Sequence, residues 1–178
     1  SSSSIGLVET ADSVDTITLT VAGLQNGSDE LLHIDGQAVT LTNGNSLTTT
    51  ANSYDVNVSV AAGTATVTLS KAAGYSIGDA QTLVDGLQYE NSSDDPLGAS
   101  RTVTLTAIQD TGGTANGGVD LTALSIGSTV TLTAVNDGPS LTATADGPTF
   151  SEGGAAAGLF SSSSIGLVEA ADAVDTIT

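Results

Sequence analysis

Residues 1–18 read SSSSIGLVETADSVDTIT, and residues 161–178 read SSSSIGLVEAADAVDTIT. The two stretches agree at 16 of 18 positions across an offset of 160 residues, differing only at Thr10/Ala170 and Ser13/Ala173. A match of this length marks a tandem array of units of about that size. The 178 residues thus hold one full period and part of a second. The opening has neither the charged nor the apolar region of a signal peptide, so the chain reads as an internal stretch of a longer protein. Val135-Asn136-Asp137-Gly138-Pro139 reads as a linker, because a strand gives way there to a turn and a proline that cannot pair. On that reading, residues 1–138 are the body of one repeat lacking its first strand. Residues 139–178 are the linker and opening strands of the next.

Alternating hydrophobicity predicts what the unit is made of. Asp15–Val21 sets Ile17, Leu19 and Val21 on one side and threonines on the other. Tyr54–Val60, Ala65–Leu69, Arg101–Ile108 and Thr129–Val135 repeat the period of two that belongs to half-buried strands. Shorter strands are expected at Leu31–Ile34, Gln37–Leu41, Leu87–Tyr89 and Leu141–Ala145. Asp35-Gly36 between two of them reads as a tight hairpin. Gly78–Val84 alone has a helical look. The expected fold is all-β, a Greek-key β-sandwich. An open edge in such a sandwich is a template for pairing. Ser140–Phe160 is therefore expected to complete the sheet of a neighbouring copy, head to tail, or to fold back on its own body.

Charge narrows the partners. Twenty Asp and Glu stand against Lys71 and Arg101, for a formal net charge of −18. Nucleic acid and anionic membranes are excluded as partners, since both draw on Lys and Arg. No apolar run approaches the roughly 18 residues of a membrane-spanning helix. The absence of cysteine removes thiol catalysis, soft-metal sites and disulfides. The five aromatics are too few for a stacked ligand groove, which counts against a carbohydrate- or protein-binding module, the second reading considered.

The acids gather where strands end: Glu9-Asp12-Asp15, Glu90 with Asp94 and Asp95, Asp110, Asn136-Asp137, and the copied Glu169-Asp172-Asp175. Crowded carboxylates are costly without a cation among them. Carboxylate, amide and carbonyl oxygens are what Ca²⁺ takes, six to eight at a time. The spacing is not that of an EF-hand, and single Asp or Asn residues also serve turns.

Gly86–Glu90, then Arg101–Asp110, then Val130–Pro139 resemble the closing half of a cadherin repeat, with Ala134 where the first linker Asp of that family stands. Val168–Asp175 and Phe150-Ser151-Glu152 resemble its opening half. The phrase order over the whole chain is similar to the cadherin-like extender repeats of giant RTX-type bacterial adhesins. The resemblance implies Ca²⁺ at the junctions between modules. It assigns Glu90, Asp110, Asn136 and Asp137 to one module and Asp172 and Asp175 to the next. Glu152 would serve the far end of that next module, and Glu9, Asp12 and Asp15 the junction before residue 1. It also implies a non-enzymatic, extracellular spacer on a bacterial cell surface, active in adhesion and biofilm. Other signals are weaker. His33 has no nucleophile elbow to serve and reads as structural. Gly112–Asp120 holds one imperfect glycine-rich nonapeptide, and the Thr-x-Thr runs suit any exposed strand face.

Overall fold

The computed structural model describes residues 3–7 and 11–178, so Glu9 lies outside the described residues. The chain divides into two compact units, Ser1–Thr133 and Ala134–Thr178. The Val135–Pro139 linker belongs to the second.

In the first unit, nine strands, several of them built on β-branched alternation, make a two-sheet fold. The strands are β1 (Val14–Ala22), β2 (Glu30–Ile34), β3 (Gln37–Thr40), β4 (Ser46–Thr48), β5 (Asp55–Ala61), β6 (Thr64–Tyr75), β7 (Gln88–Asn91), β8 (Ser100–Asp110) and β9 (Leu121–Thr131). One helix, α1 (Ile77–Asp85), sits between β6 and β7. A six-stranded sheet runs β4-β5-β6-β1-β8-β9, and a three-stranded sheet runs β3-β2-β7. All pairs are antiparallel. This is the expected all-β sandwich.

The inward residues of β1, β5 and β6 meet Leu32, Ile34 and Val39 of the smaller sheet, with Ala80 and Leu83 of α1 closing the core. The pattern inside β1 is clean: Ile17, Leu19 and Val21 are buried and the threonines between them are half-buried. Apolar burial at about 25 cal/mol per Å² is what holds the layers together. Turn chemistry sets the register. Asp35 and Gly36 both take positive φ (54° and 75°), the two-residue turn whose twist matches flanking strands, and Ile34 pairs with Gln37 across it. Ala62-Gly63 closes β5–β6 the same way. Ser76 caps α1, accepting from the Asp79 N–H.

Three strands differ from expectation. The last long strand is Leu121–Thr131 rather than Thr129–Val135. It lies along β8 with Arg101 opposite Val130 and Leu105 opposite Ile126, so pairing to β8 fixes its span, not its own alternation. Two short strands without the apolar pattern, β4 and the serine-rich strand at Phe160–Gly166 of the second unit, form by pairing alone.

One charged pair ties the sheets. Arg101 on β8 and Glu30 on β2 have fully buried side chains, joined by Nε–Oε2 at 2.8 Å and Nη2–Oε1 at 2.9 Å. The Gln25 and Asn26 N–H groups donate to Glu30 Oε1, and the Tyr89 hydroxyl donates to Oε2. Arg101 Nη2 also donates to the Leu97 carbonyl and Asn26 Oδ1. Burial works to raise the Glu30 carboxyl, but the Arg101 hydrogen bond, and then those from Asn26, Gln25 and Tyr89, hold it below the usual carboxylate range. Burial, then the Glu30 charge, pushes the Tyr89 hydroxyl up to about 12.

Breaking one side of such a pair strands a buried charge, whereas replacing both sides need not. Arg101→Met is therefore expected to cost about 3–5 kcal/mol. The double variant Glu30→Met/Arg101→Met should recover most of it, as read by chemical denaturation. A carboxyl held low stabilises above its unfolded value of about 4.3, and that share is lost as pH falls through the folded value. The gap in unfolding midpoint between the wild-type chain and Glu30→Gln should accordingly narrow as pH is lowered from about 5.

Candidate functional site

The second unit has two strands, β10 (Ser140–Ala145) and β11 (Phe160–Gly166), paired antiparallel. Both are exposed along their whole length. Within this unit only Ala157 and Glu169 are less than exposed. A half-buried carboxylate in a unit without an apolar core calls for a reason.

Glu169 accepts a hydrogen bond from the Asp137 backbone N–H at its Oε1, 2.8 Å away. Its Oε2 is buried and has no hydrogen-bond partner. The Asp172 N–H donates to the Glu169 carbonyl at 3.1 Å, turning the chain so that Asp172 and Asp175 follow closely. A shallow pocket of about 470 Å³ is lined by Asn136, Asp137, Pro139, Asp172, Asp175 and their neighbours. Linker and repeated phrase thus come together: Asn136, Asp137, Asp172 and Asp175 share one pocket, and Glu169 is pinned to its edge through Asp137. A buried carboxylate oxygen without a donor is costly, several kcal/mol for a full charge. A hard cation removes that cost. The donor set of carboxylates, the Asn136 amide and backbone carbonyls has the oxygen chemistry of Ca²⁺. Among the described residues no three Asp, Glu or His side chains converge as a finished metal cage. Such an ion would draw its remaining oxygens from backbone, water or an adjoining repeat.

The counterpart group in the first unit is only partly assembled. Asp12 and Asp110 flank Gly112: a Cβ placed there would meet Asp12 Oδ2 at 2.6 Å and Asp110 Oδ1 at 3.2 Å. The Gly112 N–H donates to Asp110 Oδ1, and Gln109 ties Asp120 to the same end of the sheet. Asp15 is engaged locally by the Thr16 hydroxyl. Glu90 points elsewhere, with its Oε2 2.6 Å from Nε2 of His33 across the three-stranded sheet. Glu152 lies in an exposed turn closed by the Gly154 N–H donating to the Ser151 carbonyl.

Glu169 was not among the residues singled out as ligands, although its copy Glu9 was. The repeat itself was the signal, since a role assigned to one copy transfers to the other. Arg101 and Glu30 were also missed. Their clue was scarcity, because an acid inside a chain with two basic residues has few partners to choose from.

No protein-family model, curated protein or solved structure matches this chain. No helix among the described residues is long and apolar enough to cross a membrane.

Removing the Asp137–Glu169 contact should free the linker. Glu169→Ala is expected to speed hydrogen exchange at the Asp137 amide while leaving amides of β1 unchanged, checked by NMR.

Proposed function

We propose that this chain is a non-enzymatic extender segment of a bacterial cell-surface adhesin. Its repeats are cadherin-like, Greek-key sandwiches joined end to end and stiffened by Ca²⁺ at their junctions, and the array projects a distal binding domain away from the cell. The observation that carries this reading is the recurrence of the phrase that leads into β1, at residues 161–178, downstream of an acidic, proline-containing linker at residues 135–139. One unit therefore hands over to the next through residues 134–175. A spacer of this kind acts through length and stiffness, which come from the number of repeats and the geometry between neighbours.

The calcium part of the reading is supported by the unpartnered Glu169 oxygen beside Asp137, Asp172 and Asp175. Asn136 and Asp137 would supply oxygens from the linker, Asp172 and Asp175 from the repeated phrase, and Glu169 would orient the two against each other. Bound Ca²⁺ would supply charge neutralisation and a rigid crosslink. The carboxylates' mutual repulsion, in a chain of net charge −18, disfavours a closed junction without it. The ligand-module alternative gains little. The large cleft of the first unit has Tyr89 as its one aromatic, and that hydroxyl is committed to Glu30.

Titration calorimetry tests the metal. Ca²⁺ is expected to bind with measurable heat and Mg²⁺ far more weakly, because Mg²⁺ sheds its water reluctantly. Glu169→Gln or Asp172→Asn should weaken Ca²⁺ at least tenfold, whereas Asp94→Asn should not. No heat with Ca²⁺ at millimolar concentration would sink the calcium reading and leave stiffness to packing alone.

A further inference from the structure

Ser161–Gly166 and Ser1–Gly6 have the same sequence, SSSSIG; the later copy is a strand, whereas the described part of the earlier one, residues 3–6, is not. There β11 pairs with β10, matching Ser140 to Gly166, Leu141 to Ile165 and Thr142 to Ser164. In the earlier copy residues 3–7 belong to no strand, but they already alternate like one: Ser3, Ile5 and Leu7 are half-buried, Ser4 and Gly6 exposed. Ser3 is fastened to the end of α1, donating from its N–H to Asp85 Oδ1 and from its hydroxyl to the Gln81 carbonyl.

These residues run along a cleft of about 780 Å³. Ile5, Leu7, Val103, Leu105, Leu124 and Ile126 make an aliphatic stretch of its wall, beside the polar Gln109, Asp110, Asp120 and Ser128. The cleft exists because the sandwich is lopsided. Three strands face six, and β8 from Val103 onward stays half-buried while β9 is mostly exposed. Ile126, whose neighbour across the pair is Leu105, is 60% exposed.

We propose that this cleft receives β10 of a second copy of the chain. The incoming strand pairs with residues 4–6 in the register that β10 shows with β11: Leu141 opposite Ile5, Ser140 opposite Gly6, Thr142 opposite Ser4. The inference rests on the tandem-repeat reading above and adds to it the surface, the strand and the register.

The energetics favour the exchange. An isolated two-stranded hairpin is marginal in water, and β10–β11 buries neither of its faces. Residues 3–6 repeat the sequence that pairs with β10 in β11, and behind them lies a partly aliphatic wall. There Leu141, Ala143 and Ala145, which share one face of β10, would leave water.

Chain length favours a second copy over folding back. Residue 13 lies at the end of the sandwich where β8 stops, since Ser13 and Thr111 hold each other by two hydrogen bonds. Residues 3–7 therefore lead toward that end, and an antiparallel β10 would begin on that side. β9 finishes at the opposite end, where the Leu132 N–H donates to the Ala99 carbonyl. Retracing eleven-residue β9 takes about 36 Å. The eight residues from 132 to 139 span at most about 28 Å. A strand from another molecule has no such limit.

The chain has no cysteine, which makes the test direct. Full-length Ser4→Cys and full-length Thr142→Cys are mixed under mild oxidation, with Ca²⁺ and separately with EDTA. Paired antiparallel positions fall within disulfide reach. A covalent heterodimer is expected, at least tenfold more abundant than with Ala143→Cys, which places the thiol on the other face of the strand. The unmodified chain should also gain mass with concentration in sedimentation. Absence of the mixed disulfide would overturn the proposal. So would a Ser4→Cys/Thr142→Cys chain that closes only an internal disulfide and stays monomeric, because that outcome means the strand folds back. Cross-linking in EDTA separates this result from the calcium reading: strand pairing without Ca²⁺ heat leaves the exchange standing and removes the metal alone.

Discussion

The contact on which the rest of the first unit depends is the buried fork between Arg101 and Glu30. It is the point where the six-stranded and three-stranded sheets are joined by charge rather than by apolar packing. Its satellites fix three other segments: the 25–26 corner, the loop before β8, and Tyr89 on β7. Because Tyr89 also lines the cleft, the position of that wall is set by this network. A hydrophobic pair of similar volume could stabilise the fold as well, so the gain from the fork lies in specifying how the sheets align. A chain with nineteen carboxylates to spare has placed its sole arginine where no solvent reaches it.

The repeated phrase separates what a sequence encodes from what its neighbours supply. Val14 and Ile17 are buried at the centre of a six-stranded sheet, between β6 and β8. Their copies, Val174 and Ile177, are 40% and 68% exposed in a segment that forms no strand. Five identical residues, Val-Asp-Thr-Ile-Thr, therefore take two states. The alternation is the same in both, but only the first has partners to pair with. Strand propensity is a preference for a pleated, half-buried surface, and it is realised only where that surface exists.

The same distinction explains what was legible in the sequence. β1, β5, β6 and β8 carry their apolar residues at a period of two and were readable to within a residue or two at most ends. The Asp35-Gly36 turn was readable because only certain residues tolerate its backbone. β4 and β11 were not, since Ser46–Thr48 and the serine run take their conformation from the strand alongside. β9 was misplaced because its glycine and serines interrupt the pattern that β8 then imposes. Of the candidate ligands, Asn136, Asp137, Asp172 and Asp175, which the family resemblance grouped, line one pocket. Glu90 was grouped by proximity in the chain to other acids, and the fold turned it toward His33 instead. Which face of a sheet a carboxylate occupies depends on long-range register, and no short motif records that.

The exposed β10–β11 hairpin has a consequence for how a long array is built. If β10 enters a neighbour's cleft as proposed, each repeat has a vacancy at one end and a plug at the other, so an array of such repeats has a polarity, like a filament with two unlike tips. Growth or repair at one tip consumes a strand, and at the other it consumes a cleft. The outermost unit at the vacant tip would keep its aliphatic trough open to any β-rich segment that drifts past. A sequence variant that seals that trough, a cap in the sense used for solenoids, is what a terminal repeat of such an array requires.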